Sequence, residues 1–207
     1  MCGISGIVAD GDQQKNIEAM CRMLVHRGPE NTSIYRYENV WLGHNRLRII
    51  DIETGDQPIF NEDGSVGVVF NGEIYNFMEI KADLEEKGHT FKTTSDTEIL
   101  VHLYEEKGIE MFDKLNGIFA FAILDKNRNR IILARDHFGV KPLFYYERGG
   151  KLVFGSEAKA ILTHPDVPRK RNDHATHLLA NLRYVQSEQT LFKDIHHVPP
   201  GSYLLHE

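Results

Sequence analysis

Apolar side chains recur along the chain at two periods, three to four residues and two, and the switches between them mark out the elements. Ile4–Ala9 reads as a buried strand closed by an Asp10-Gly11 turn. Gln13–His26 sets Ile17, Met20 and Leu24 at helical spacing, and Gly28-Pro29 stops it. Ile34–Tyr37 and Val40–Gly43 read as strands around a short turn, and Arg46–Ile52 as a half-apolar extended stretch. Phe60 and Val66–Phe70 flank Asn61-Glu62-Asp63-Gly64-Ser65, a hairpin signature. Helices are predicted over Phe77–Lys87, ended by Gly88, and over Thr97–Lys107, with capping residues Thr94, Ser95 and Asp96 before it and Gly108 after it. A short helix fits Ile109–Leu115.

Past Gly117 the period shortens. Ile118–Leu124 and Arg130–Ala134 surround the polar turn Asp125–Asn129, and Leu143–Tyr146 and Leu152–Phe154 surround Arg148-Gly149-Gly150. Brief helices fit Glu157–Leu162 and Asp173–Asn181, and Ser202–Leu205 reads as a closing strand. There is no internal repeat, heptad array, low-complexity tract or obvious linker. Many hairpin-like strands around two or three central helices predict a layered α+β domain, with antiparallel sheets covered by helices.

Composition narrows the classes. The 207 residues suit one large domain or two small ones, with 41% hydrophobic and 26% charged residues as in an ordinary soluble protein. Lys and Arg number 24 against 30 Asp and Glu, net −6, which argues against a nucleic-acid partner. No apolar run approaches the roughly 20 residues of a membrane span; Gly117–Leu124 is among the longest. Two cysteines make no disulfide framework and point to a reducing cytosol, hence a cytoplasmic protein. Met1–Ala9 lacks the basic start of a secretory leader and runs into Asp10-Gly11-Asp12, so Cys2 is expected to open the folded domain.

Candidate chemistry begins at Cys2. Removal of Met1 leaves its thiol on the same residue as a free α-amine, whose ordinary pKa is about 7.7–8.0. The amine can take the thiol proton directly or through one water, so nucleophile and base come from one residue; the bland alternative is a small buried residue. Cys21 reads as core packing in the first helix. Asn71-Gly72-Glu73 offers a side-chain amide and a glycine N–H, two donors for an oxyanion, or else a common turn dipeptide. Arg46 suits a carboxylate or is a surface cation. Asp96 suits a substrate ammonium or caps a helix. Among 11 histidines, His174 with His177 and His196 with His197 lack a third ligand at a typical spacing, so no metal is expected. No nucleotide-binding glycine loop occurs.

In order along the chain, several short motifs form a familiar series: Met1-Cys2-Gly3-Ile4-Ser5-Gly6-Ile7, His26-Arg27-Gly28-Pro29, Arg46-Leu47-Arg48-Ile49-Ile50-Asp51, Asn71-Gly72-Glu73-Ile74-Tyr75-Asn76 and Ser95-Asp96-Thr97-Glu98. The series resembles the N-terminal glutaminase domain of class II glutamine amidotransferases, within the N-terminal-nucleophile hydrolase superfamily. Arg135–Tyr145, Gly155–Ala160 and Pro199-Pro200-Gly201 make it most similar to glutamine-hydrolysing asparagine synthetases, across essentially residues 1–207.

The resemblance implies a four-layer αββα sandwich, two antiparallel sheets between helical layers, acting on L-glutamine. It implies that the Cys2 thiolate attacks the carboxamide, that Asn71 and Gly72 hold the oxyanion, and that a γ-glutamyl thioester is hydrolysed to glutamate after ammonia leaves. Arg46 matches the residue that grips the α-carboxylate, Glu73 and Asp96 those that receive the α-ammonium, and Ile49 and Ile50 nearby backbone contacts. Arg48 departs from the small residue often seen there, changing the charge near the pocket mouth. The resemblance also implies a C-terminal synthetase domain using ATP and Mg with a Ser-Gly-Gly-Leu-Asp-Ser loop; no such motif occurs in this chain. These residues are therefore expected to need no cofactor and to make ammonia and glutamate rather than asparagine. A sugar-phosphate or phosphoribosyl amidotransferase domain, a non-catalytic glutamine-binding regulator that keeps Met1, and a homodimer stand as alternatives beside this reading.

Overall fold

The computed structural model describes residues 1–49, 51–185 and 188–207. Eleven strands among them form two antiparallel sheets. One sheet runs β10 (His196–His197), β8 (Phe144–Arg148), β9 (Lys151–Gly155), β1 (Gly3–Val8), β3 (Val40–Arg46), β2 (Asn31–Tyr37). The other runs β11 (Ser202–His206), β7 (Arg130–Arg135), β6 (Gly117–Asp125), β5 (Val66–Ile74), β4 (Ile59–Phe60).

Alternation along the strands builds three apolar layers. Between the sheets lie Ile4, Val8, Val40, Leu42, Val69 and the small Ala120 and Ala122, which let the sheets approach. The outer face of the second sheet, through Val68, Phe70, Phe119 and Phe121, packs under α2 (Phe77–Glu86) and α3 (Ile99–Lys107). The outer face of the first, through Ile7, Trp41 and Val153, packs under α1 (Gln14–Leu24) and α4 (Ala158–Ile161). Helix, sheet, sheet, helix is the αββα order expected. Strands buried on both faces also explain why Gly117–Leu124 reads as one apolar run rather than as an alternation. α5 (Asp173–Leu182) is capped by Asn172, whose side chain accepts from the Ala175 N–H. No helix among the described residues is long and apolar enough to cross a membrane.

Two local expectations fail for physical reasons. The stretch after Arg46 is not extended: the chain leaves the sheet and turns at Ile52–Thr54. Asp51 stands at φ 51°, and its carboxylate closes the turn on the Thr54 N–H at 2.8 Å. Ile49 and Ile52 are 73% and 62% exposed, so their apolar character marks no buried strand face. Nor does Asn71-Gly72 turn: β5 runs through it, pairing Asn71 with Ala120 and Gly72 with Phe119. Smaller shifts move element ends by one to three residues, and Ile109–Leu115 becomes a 3₁₀ turn over Gly108–Lys114.

Candidate active site

Interior strands of the two sheets deliver the chemistry to one place. Cys2 continues the alternation of Ile4 and Val8 and faces the inter-sheet layer. Arg46 ends β3 on the face of Val40 and Leu42; Asn71 follows Val69 on the inner face of β5. Gly3 pairs with Asn45, so the start of β1 and the end of β3 emerge side by side. Cys2, Arg46, Ile49, Asn71, Gly72 and Asp96 all line one cleft.

The half-buried Cys2 sulfur accepts the Leu47 N–H at 3.4 Å and donates to the Leu47 carbonyl at 3.6 Å, which sets its rotamer. Arg27 holds the Cys2 carbonyl from Nε at 3.0 Å and Glu157 from Nη1 at 3.0 Å. Glu157 also meets His26 at 2.8 Å and Lys159 at 2.9 Å. Burial raises the Glu157 pKa, but hydrogen bonds from Lys159, Arg27 and His26 outweigh it and hold the group at about 2. Two residues beyond Cys2, the Ile4 N–H donates to Ser156 Oγ at 2.9 Å, and the Ser156 N–H donates to the Ile4 carbonyl at 2.9 Å. A Cβ on Gly28 would lie 2.2 Å from the Asn45 carbonyl oxygen, so only glycine lets the Arg27 segment cross β3 this closely. Sequence motifs that carried no assigned role thus prove to anchor the backbone at Cys2 and Ile4.

Asn71 is 1% exposed, and its Nδ2 has no hydrogen-bond partner among the described residues. A buried amide donor without an acceptor is costly in an ordinary core, and this one belongs to a residue that lines the cleft beside Cys2. Its neighbour Gly72 leaves no room for a side chain: a Cβ would sit 2.3 Å from the Ile118 carbonyl oxygen.

Charge is divided across the cleft. Arg46, 3% exposed, donates to Asp56 at 2.5 Å and to the Asp51 carbonyl. Burial raises the Asp56 pKa, but hydrogen bonds from Arg46 and Asn31 bring it below the usual carboxylate range. Arg48 reaches the other Asp56 oxygen at 3.9 Å, so the departure at this position shares the counter-ion of Arg46. The same cleft holds Asp96, 3% exposed. It does not cap α3, whose first turn has no side-chain cap; its Oδ2 accepts the Ile74 N–H at 2.9 Å and ties the segment to the end of β5. Burial pushes the Asp96 carboxyl up; that N–H opposes the rise in part, and the charge of Glu73 adds to it. Glu73 is exposed and outside the cleft lining, near enough to act on Asp96. Ile49 forms the rim, and Ile50 lies outside the described residues.

Asp56 and Lys141 escaped sequence reasoning. Lys141 lines the cleft at the end of a loop wound around buried Asp136, whose carboxylate accepts the N–H groups of Phe138, Val140 and Lys141 at 3.0–3.1 Å. The signal was present in Arg135–Tyr145, but nothing in its spacing says that it wraps a carboxylate.

Fold and site together define an amidotransferase-type N-terminal-nucleophile hydrolase domain. The chain belongs to the glutamine amidotransferase domain family, which matches residues 1–207. It is 46% identical over 178 residues to asparagine synthetase [glutamine-hydrolyzing] 2 of Bacillus subtilis, covering 83% of this chain and 24% of that protein. It is 39% identical over 209 residues to asparagine synthetase [glutamine-hydrolyzing] 1 of the same organism, covering 98% and 33%. The chain thus spans a quarter to a third of the length of these relatives. Among solved structures, the glutamine phosphoribosylpyrophosphate amidotransferase of B. subtilis superposes with TM-score 0.66 at 26% identity, over 78% of this chain and 43% of that one.

Proposed function

We propose that this domain hydrolyses L-glutamine to glutamate and ammonia through Cys2, and that the ammonia serves an ATP-dependent synthetase domain of the asparagine synthetase kind. The observation that carries the reading is the buried, unpartnered Asn71 amide in the same cleft as the Cys2 thiol. Greater identity to asparagine synthetases than to the phosphoribosyl amidotransferase favours the first as the acceptor type. Two unpaired cysteines suit a reducing cytosol.

While Met1 is attached, the Cys2 nitrogen is an amide and no base. With Met1 removed, that nitrogen becomes an amine able to take the thiol proton. The thiolate attacks the carboxamide carbon, and Asn71 Nδ2 and the Gly72 N–H receive the oxyanion. As the C–N bond breaks, the ammonium of Cys2 returns the proton to the leaving ammonia. Water, deprotonated by the same amine, then cleaves the thioester. Arg46 takes the α-carboxylate, with Asp56 holding the guanidinium in place. Asp96 takes the α-ammonium, with the charge of Glu73 acting on it from outside the cleft lining, while Ile49 at the rim contributes a backbone contact. Every group in this cycle is protein or water, so it needs no cofactor.

A second reading rests on Met1, which itself lines the cleft: a chain that keeps it binds glutamine without turnover and regulates. Intact mass and glutamate release, measured on the same sample, separate the two. A chain beginning at Cys2 that releases no more glutamate than Cys2→Ala ends the enzymatic reading.

A further inference from the structure

Away from the cleft, α3, the loop before it and the β4–β5 turn bring together Glu62, His89, His102 and Glu105, with one ligand atom from each within 4.8 Å of all the others. His102 Nδ1 lies 3.1 Å from Glu62 Oε2 and 3.4 Å from Glu105 Oε2. His89 Nδ1 lies 3.2 Å from Glu62 Oε1 and 4.0 Å from Glu105 Oε2. Metal bonds of about 2.0–2.2 Å give a tetrahedron whose edges are roughly 3.3–3.6 Å; with one atom from each residue the four lie within 4.8 Å of one another, so small side-chain shifts would close them onto an ion.

The surroundings have the build of an outer ligand shell. Both imidazoles turn Nδ1 inward; His89 Nε2 meets Glu106 at 3.3 Å, whereas His102 Nε2 stands 3.8 Å from Glu98, outside hydrogen-bond distance. A carboxylate placed as Glu106 is orients a metal-binding histidine. Glu98 is itself fixed by the N–H groups of Lys92 and Thr93 at 2.8 and 2.7 Å, and the second Glu105 oxygen accepts from Asn61 at 2.7 Å. The His102 side chain is 1% exposed, with Phe91 edge-on to its ring, whereas Glu62 at 38% leaves an entrance. Four carboxylates converge here, and among the described residues Lys87 is the one lysine or arginine ion-paired with any of them.

We propose that Glu62, His89, His102 and Glu105 form a tetrahedral site for a zinc-class divalent ion that clamps α3 to the β4–β5 turn. Two imidazoles with two carboxylates suit Zn²⁺ better than Mg²⁺ or Ca²⁺, which take oxygen ligands in larger number. The ligands come from three separated segments, and neither histidine pair singled out by spacing takes part, so linear motifs could not show the site. The clamp acts on the stretch that carries Asp96 into the cleft, because Glu98 stands two residues after it.

The test uses the whole chain carrying Cys2→Ala, which removes the cleft thiol as a competing ligand. After EDTA treatment and dialysis, ZnCl₂ is expected to bind at one ion per chain. At 100-fold excess over Kd it should raise Tm by roughly 5–10 °C, and MgCl₂ should not. Adding Glu62→Gln or His89→Gln, both at partly exposed positions, should weaken Zn²⁺ binding at least about tenfold while the EDTA-treated forms still unfold cooperatively. Substoichiometric binding, an equal rise with Mg²⁺, or unchanged affinity in either variant overturns the site and leaves an ion-pair network.

Discussion

The two cysteines occupy regions built on opposite principles. Cys21 lies in the layer between α1 and the first sheet, 2% exposed, with Ser5 Oγ at 3.6 Å. Gly43 makes room for it, since a Cβ there would come within 2.5 Å of the sulfur. Burial pushes this thiol up, only partly offset by Ser5, so it stays protonated and inert. Cys2 stands where the inter-sheet layer opens, its sulfur against the Leu47 backbone and its carbonyl held by Arg27. A residue type says little about reactivity. A closed layer makes cysteine a small apolar filler, and the open end of a layer leaves its thiol at a cleft that Asn71 also lines.

Exchanging the cysteines gives the widest separation. Cys2→Ala should lower glutamate release by on the order of 10⁴-fold or more with little change in Tm. Cys21→Ala should keep turnover within a few-fold and cost about 1–2 kcal/mol of stability; a reversed pattern breaks the comparison. Asn71→Ala should lower kcat by about 10²–10³-fold, the cost of one oxyanion donor, with KM little altered. Arg46→Ala should act mainly on KM, by roughly ten- to a hundredfold, and an unchanged KM would remove its carboxylate role.

The smallest effect is with pH. A carboxylate holds an ammonium only when ionised, and the Asp96 pKa is raised by burial, with Glu73 adding to the rise. Glutamine affinity should therefore weaken on acidification, beginning above the ordinary aspartate value of about 3.9. The apparent KM should climb a few-fold there in wild type, and that climb should vanish in Asp96→Asn.

Much of this was legible from residues alone, because periodicity follows burial. Helices α2 and α3, the β4–β5 hairpin and the apolar β6 strand announced themselves by spacing. Cys2, Asn71, Gly72, Arg46 and Asp96 were singled out individually, and the structure brings them to one cleft. What stayed hidden depends on contacts between distant segments. Asp51 turns a chain that looked extended because its hydrogen bonds reach Thr54 and Thr94. Asp96 serves β5 rather than a cap, and the Arg27–Glu157 pair spans 130 positions.

The proposed mechanism requires a thioester on the first residue of the processed chain. Wild type mixed with L-glutamine, quenched in acid during turnover and digested, should show a γ-glutamyl increment on the peptide that begins at Cys2. The Cys2→Ala sample should show neither that increment nor glutamate above the uncatalysed rate. An increment on another residue, or undiminished glutamate release by Cys2→Ala, would contradict the account.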